Sequence, residues 1–324
     1  MCTAVSFNKK PRLFGRNLDL DRRYAEEAVL MPRNFAYPYA SDIKSSIKKG
    51  GFALFGAATV IGGMPLFYEA VNEYGLFAAG LNFTESACLK DKESGKLNLA
   101  PHELIPFVLS SCKDLSEAKR LMQGVNLTHD SVSDEYPAAR LHFFFADGGG
   151  SLAAEPLSEG LLLTPDPLEV LTNEPPLSFH LKHASMYRAL SPSAAPDNLG
   201  KASRGAFTSD WVSLGLGAFG LPGDLSSPSR FLRAAFTKLY ALEKPTEKEA
   251  VNQLFHILAS VSMAEGTVRT DLGFEKTVYT SVLSSESLTY YYTTYGDPSI
   301  KPIRFSERDL TKNTLVRYPM FDTI

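Results

Sequence analysis

Short runs of β-favouring residues closed by polar or glycine-rich turns recur along this chain, and they restrict it to folds built on antiparallel sheet. Thr3–Phe7 and Arg12–Asn17 flank the polar turn Asn8-Lys9-Lys10-Pro11, a hairpin pattern that places Cys2 at the opening of a sheet strand. Further strands are expected at Ala28–Met31, Phe52–Phe55, Leu76–Ala79, Leu141–Ala146, Leu152–Glu155, Leu161–Thr164, Val170–Thr172, Thr277–Leu283 and Leu288–Tyr295. The turn Asp147-Gly148-Gly149-Gly150 between two of them suits a hairpin. Helices are fewer. Thr246-Glu247-Lys248-Glu249 reads as a capping box, and Val251, Leu254, Phe255, Leu258 and Val261 follow at helical spacing. Ser227-Pro228 opens a second amphipathic helix through Leu239, with Ser227 as its expected N-cap, and two more are expected near His102–Ser111 and Leu115–Gln123. Helix pairs among antiparallel strands predict a layered α+β unit. With no repeat and no long linker, residues 1–324 read as one domain, and Ser191–Lys201 reads as a surface loop.

Composition narrows the function. At 44% apolar and 21% charged residues the chain can bury a large core, and a net charge of -3 supplies no bulk attraction to nucleic acid or anionic membrane. The N-terminus lacks the basic-then-apolar pattern of a secretion signal, and no apolar run is long enough to span a bilayer. The three cysteines, Cys2, Cys88 and Cys112, are odd in number and show no C-x-x-C spacing, so neither a disulfide framework nor a zinc site is expected. These features predict a cytoplasmic protein acting on small molecules.

Removal of Met1 would give Cys2 both a thiol and a free α-amine, a base whose unperturbed pKa of about 8 lies near neutrality. An N-terminal amine can activate a nucleophile as a histidine does elsewhere. A small residue at position 2 also serves simply to permit Met removal, so Cys2 alone leaves both readings open. Arg16 and Asp19, on the second strand of the hairpin, are placed to favour a thiolate and to hold an α-amine, or else are a surface arginine and a turn aspartate. Asn82 and Asn173 each follow a strand, where side-chain amides can stabilise an oxyanion or cap a turn. Gly215-Leu216-Gly217-Ala218-Phe219-Gly220 satisfies G-x-G-x-x-G, but Leu221-Pro222-Gly223 follows in place of a helix, so a loop beside a site fits better than a nucleotide cradle. His180 and His183 lack zinc-protease spacing and are expected on a helix or loop surface, and His142 is expected as a hydrogen-bonded core residue.

In order and spacing, Met1-Cys2-Thr3, Phe14-Gly15-Arg16-Asn17-Leu18-Asp19, Asn72-Glu73-Tyr74-Gly75-Leu76, Ala79-Gly80-Leu81-Asn82-Phe83, Leu171-Thr172-Asn173, Gly220-Leu221-Pro222-Gly223-Asp224, Ser229-Arg230-Phe231 and Tyr290-Tyr291-Tyr292 form one pattern. The chain resembles the choloylglycine hydrolase family of N-terminal nucleophile hydrolases, and within it the bile salt hydrolase branch. The resemblance implies a four-layer αββα sandwich, two antiparallel sheets between helix layers. It implies Cys2 as nucleophile once Met1 is removed, Arg16 and Asp19 beside it, Asn82 and Asn173 at the oxyanion hole, and Arg230 supporting charge near the thiolate. It also implies conjugated bile acids as substrate, no metal or cofactor, no nucleic-acid or membrane partner, and a homotetramer. Asn82 stands where related penicillin V acylases commonly have Tyr, which favours the bile-salt branch.

Two departures from the family pattern are Phe143, where Trp is common, and the segment Trp211–Phe219. That segment aligns with a loop tied to the choice of amino-acid tail, so Gly215, Leu216 and Gly217 bear on selectivity. Leu18, Ile61, Met64, Tyr136 and Leu141 are candidate walls for a steroid, or ordinary core residues. Two other activities fit the same chemistry, an amidase for penicillin V or for N-acyl homoserine lactones. A catalytically silent binding protein of this fold is the more distant reading.

Overall fold

The computed structural model describes residues 1–39, 51–207 and 215–321; of the segment Trp211–Phe219, positions 211–214 lie outside them. The strands are β1 (Cys2–Phe7), β2 (Leu13–Leu20), β3 (Glu27–Met31), β4 (Leu54–Ile61), β5 (Met64–Asn72), β6 (Phe77–Asn82), β7 (Leu97–Leu99), β8 (Val125–Leu127), β9 (Leu141–Asp147), β10 (Gly150–Leu157), β11 (Gly160–Pro165), β12 (Val170–Leu171), β13 (Val268–Thr270), β14 (Gly273–Ser284), β15 (Thr289–Thr294), β16 (Asp297–Arg304) and β17 (Val316–Pro319). The helices are α1 (Leu104–Ser111), α2 (Leu115–Met122), α3 (Leu177–Ala184), α4 (Asn198–Ala202), α5 (Ser227–Tyr240) and α6 (Glu247–Ala259). A 3₁₀ turn, Pro101–Glu103, leads into α1, and α4 lies partly within the segment expected as a surface loop.

Two antiparallel sheets carry the fold. The first runs β12-β1-β2-β14-β15-β16, with β13 paired to β14, and the second runs β11-β10-β9-β6-β5-β4-β3-β17. Helices α5 and α6 cover the outer face of the first sheet, and α1 and α2 cover that of the second. The result is the αββα order that the family resemblance implies. Phe14 of β2 stacks on Phe77 of β6, centroids 4.8 Å apart, and so joins the two inner faces. A second apolar cluster, including Leu104, Phe107, Val108, Phe143 and Phe145, fills the space between the second sheet and α1 and α2.

Local chemistry accounts for the clearest elements. Thr246 caps α6 by accepting the Glu249 amide at 3.3 Å, as its capping-box pattern predicts, a contribution of about 1 kcal/mol. Gly62 and Gly63 both take positive φ, 56° and 84°, in the tight turn between β4 and β5, where residues with a Cβ would be strained. Two expectations need correction. The N-cap of α5 is Ser226, one residue earlier than read from the sequence, and the Ser227 hydroxyl is committed to Thr172 and Asn173. Strand β5 was not apparent in the sequence, because Pro65 and Glu69 interrupt its β-favouring pattern.

Candidate active site

Cys2 is the first residue of β1 and is buried. Register sets what surrounds it. Cys2 lies opposite Leu18 and Ala4 opposite Arg16, while Arg16 in turn lies opposite Ser281 of β14. Because directly paired residues share a face, Cys2, Leu18, Arg16 and Ser281 all face the second sheet. Thr3, Asn17 and Asp19 face the helix layer, where the Asn17 amide donates to the Leu258 carbonyl at 2.9 Å. Between Thr277 and Tyr279 the pairing of β14 with β2 shifts by one residue. This bulge puts Thr277 on the helix side with Asp19, and Tyr279 on the sheet side with Arg16.

Asn173, just after β12, is the hub of the site. Its Oδ1 accepts from the Cys2 backbone N at 2.8 Å and from Arg230 Nη2 at 2.7 Å, and its Nδ2 donates to the Asn82 carbonyl at 2.9 Å. Arg230 on α5 is wholly buried and also donates to the Cys2 carbonyl at 2.6 Å and to Thr3 Oγ1 at 2.8 Å. Asn173 therefore holds the nitrogen of Cys2, and both ends of its amide are already engaged. Asn82 closes β6 and is exposed.

Asp19 accepts the Thr277 hydroxyl at 2.6 Å through Oδ1, while its buried Oδ2 has no hydrogen-bond partner among the described residues. Burial raises the Asp19 carboxyl above its ordinary range, against the pull of Arg230, the Met1 amine and Thr277, and Glu275 adds to the rise. Met1 continues the β-ladder. Its carbonyl accepts the Asp19 amide at 2.9 Å, and its amine donates to the Asp19 carbonyl at 2.5 Å and to Glu275 Oε2 at 2.7 Å.

On the opposite face, Arg16 Nη1 donates to the carbonyls of Tyr68 at 2.8 Å and Gly80 at 3.0 Å, and lies 3.5 Å from Glu69 Oε2. The Tyr68 carbonyl is available because β4 and β5 shift register at this point, leaving Tyr68 without a Cα partner. Burial works against the Arg16 charge, but Cys2, Tyr279, Glu69 and Asp19 outweigh it and raise its pKa further. For Arg230 burial prevails, lowering the pKa although Asp19, Cys2 and Glu275 oppose the shift.

Glu69 and Glu275 gave no sequence signal, and Ser227 and Thr277 were legible only as a helix cap and a strand residue, not as parts of the site. His180 is a correction. It was expected at a surface, yet it is buried on α3 and stacks on Phe231, with its Nε2 donating to the Asn173 carbonyl at 2.9 Å. Burial pushes its pKa down to about 4. Ser227 Oγ accepts the Asn173 amide at 2.9 Å, so the backbone of Asn173 is tethered at both its N–H and its C=O. His142 is the core residue expected, lying against Glu155 and the Thr172 carbonyl.

The candidate pocket residues are more scattered. Leu18 is buried opposite Cys2, and Leu141 lies opposite Asn82. Ile61 and Met64 pair with one another at the β4–β5 turn, and Tyr136 sits in a turn with Ser133. Gly215, Leu216 and Gly217 lie in a loop packed on Pro192, whose carbonyl lies 2.2 Å from where a Cβ on Gly217 would be. No helix opens until Ser227, which removes the nucleotide-cradle reading of these glycines. A separate cleft of about 480 Å³ beside α2, lined by residues including Asp114, Lys119 and Asp147, shares none of the site residues.

A sheet strand opening on a buried cysteine, inside an αββα sandwich, defines the N-terminal nucleophile hydrolase class. The chain belongs to the choloylglycine hydrolase family of linear amide C–N hydrolases, whose profile matches residues 2–318. It is 37% identical to a bile salt hydrolase/transferase of Lactiplantibacillus plantarum over 99% of this chain and 97% of that one. It is 34% identical to a protein of the same name from Bifidobacterium longum, over 98% and 99%. A crystal structure of a variant of conjugated bile acid hydrolase from Clostridium perfringens superposes with a TM-score of 0.88 at 29% identity, over 100% of this chain and 98% of that one. Penicillin V acylase from Agrobacterium tumefaciens shares the fold, with a TM-score of 0.75 at 17% identity over 98% and 91%.

Proposed function

We propose that this chain hydrolyses the amide bond of glycine- or taurine-conjugated bile acids, with Cys2 as nucleophile after loss of Met1. The observation that carries this reading is the Cys2–Asn173–Arg230 cluster in a chain matched end to end by bile acid hydrolases. The free α-amine of Cys2 takes the thiol proton, and sulfur attacks the amide carbon. The side-chain amide of Asn82 donates to the oxyanion, a contribution of about 3 kcal/mol for one such donor. Asn173 holds the Cys2 nitrogen and supports Asn82, so in this scheme its part in the oxyanion hole is to fix the neighbouring donor. As the C–N bond breaks, the α-ammonium protonates the departing amine and a thioester remains. Water, deprotonated by the same amine, then cleaves the C–S bond and releases the bile acid. No metal or cofactor takes part.

The loop carrying Gly215, Leu216 and Gly217 is assigned to tail selectivity, and Leu18, Ile61, Met64, Tyr136 and Leu141 to the steroid walls. We also read the protein as a cytoplasmic homotetramer; its free cysteines fit a reducing compartment, and sedimentation tests the assembly. Among the described residues no helix is long and apolar enough to cross a membrane. The deciding experiment compares steady-state hydrolysis of glycocholate, taurocholate and penicillin V by the Met1-processed protein. Turnover of the bile conjugates well above penicillin V is expected. Activity on penicillin V alone would overturn the assignment.

A further inference from the structure

We propose that Glu69 is the counter-ion of Arg16 and tunes the nucleophile. By opposing the guanidinium that shares a sheet face with Cys2, it keeps the sulfur from resting as an over-stabilised thiolate. The proposal rests on the reading of Cys2 as nucleophile.

Glu69 is a fully buried carboxylate that the mechanism above leaves unused. It sits on β5, opposite Ala79 of β6, and its side chain crosses to the first sheet. Its Oε1 accepts the hydroxyls of Ser281 and Tyr290, both at 2.9 Å, and its Oε2 accepts the Tyr279 hydroxyl at 2.8 Å and faces Arg16 at 3.5 Å. Burial raises the Glu69 pKa, and the Arg16 guanidinium and the three hydroxyl donors oppose that rise and favour the ionised carboxylate. The backbone is shaped to bring it there: a Cβ on Gly56 would lie 1.8 Å from the Glu69 carbonyl oxygen, so only glycine admits this approach of β4.

The carbonyls of Tyr68 and Gly80 already fix the direction of Arg16 Nη1, at shorter distances than Glu69, but they do not neutralise its charge. The remaining role for Glu69 is electrostatic. The charged and titratable neighbours of Arg16 are Cys2, Tyr279, Glu69, Asp19, Tyr68 and Tyr290, and those of Arg230 are Cys2, Asp19, Glu275, Arg233 and His180. Glu69 is the carboxylate on the sheet side, where Arg16 shares a face with Cys2, and Asp19 lies on the helix side, where Arg230 holds the Cys2 carbonyl. A thiolate beside an unopposed cation forms readily but attacks poorly, since nucleophilicity falls as the thiol becomes more acidic.

The test is the pH dependence of Cys2 alkylation by iodoacetamide in the Met1-processed protein, followed by peptide mass because Cys88 is an exposed thiol that reacts as well. It needs no bile salt, so its result is separable from the substrate assignment, which glycocholate turnover by the wild type reports. Glu69→Gln is expected to lower the alkylation midpoint by about one pH unit, the size of a unit charge roughly 10 Å away at an effective dielectric of about 20. The limiting alkylation rate and kcat should fall with KM little changed. In an Arg16→Met background the same substitution should move the midpoint by less than half as much, because burial raises the Glu69 pKa and, with the opposing guanidinium gone, the carboxyl is already largely neutral. Tyr290→Phe, which removes a donor that lowers the Glu69 pKa and so weakens its charge, should give a smaller shift of the same sign and serves if Glu69→Gln does not fold. A midpoint that stays put or rises in both variants, or a shift equally large without Arg16, overturns the proposal.

Discussion

Replacing Asn173 separates its two ends, and the structure fixes the expected sizes. Asn173→Ala removes the acceptor for the Cys2 nitrogen and Arg230 Nη2 and the donor to the Asn82 carbonyl. A hydrogen bond to a charged group contributes about 1.5–3 kcal/mol and a neutral one about 0.5–1.5. Arg230 keeps the carbonyls of Leu225 and Cys2 and the Thr3 hydroxyl, so it is not left stranded. A stability loss of about 2–4 kcal/mol follows. If most of that energy also holds the nucleophile in the transition state, kcat falls by about 10²–10³-fold. KM should change little, because Asn173 touches Cys2 and its neighbours. Asn173→Asp keeps the acceptor and loses the donor, so it should cost about tenfold where Ala costs far more. Glycine release from glycocholate gives kcat and KM, and thermal unfolding gives stability. An Asp variant as poor as Ala would show that Nδ2 is the functional end, and an Ala variant within fivefold of wild type would refute the role altogether.

Three other outcomes follow from the same contacts. Folded protein that retains Met1 should not turn over, and added methionine aminopeptidase should trim it slowly, because Met1 is laddered to Asp19 and ion-paired to Glu275; rapid trimming seen by intact mass would refute this. His180 is neutral when folded until about pH 4, whereas its unfolded value is about 6.5, so the unfolded chain binds the extra proton first and stability falls as pH drops through that window. Between pH 7 and 4.5 this costs about 2–3 kcal/mol, and the corresponding fall in Tm should shrink in His180→Phe; an unchanged fall would refute it. Gly56→Ala drives a Cβ into the Glu69 carbonyl and should lower Tm by about 5 °C or more, whereas a wild-type Tm would show that β4 can shift without cost.

The parts of this architecture that were legible in the sequence are those whose signal is local. The β1–β2 hairpin shows in its flanking β-favouring runs and polar turn, and α6 in its capping box and apolar spacing. Cys2, Arg16, Asp19, Asn82, Asn173 and Arg230 came from a pattern of short segments, since no single one differs from a common turn or surface residue. What stayed hidden depends on partners far along the chain. Glu69 looks like a strand-breaking charge until Tyr279, Ser281, Tyr290 and Arg16 surround it. Thr277 and Tyr279 are two apart and would share a face of a regular strand, and only the bulge sends them to opposite sides. His180 read as exposed because a histidine on a short helix carries no mark of the Asn173 carbonyl it meets.

Strand β2 is buried on both faces, so the carboxylate opposing Arg16 should matter to folding as well as to reactivity. A guanidinium buried without a counter-charge costs several kcal/mol, and breaking a buried pair costs more than deleting it whole. Arg16 and Glu69 are both fully buried, so Glu69→Gln alone leaves an unopposed cation between the sheets. Arg16→Met with Glu69→Gln leaves none. The double variant should therefore unfold at a higher temperature than Glu69→Gln alone, with a coupling of about 1–3 kcal/mol in the thermodynamic cycle. The same double variant should be catalytically poor, because the cation facing Cys2 has gone. Stability and activity then move in opposite directions across one pair of substitutions. If instead the single variant is the more stable protein, the Tyr68 and Gly80 carbonyls suffice to solvate Arg16, and Glu69 is held by its three hydroxyl donors independently of it.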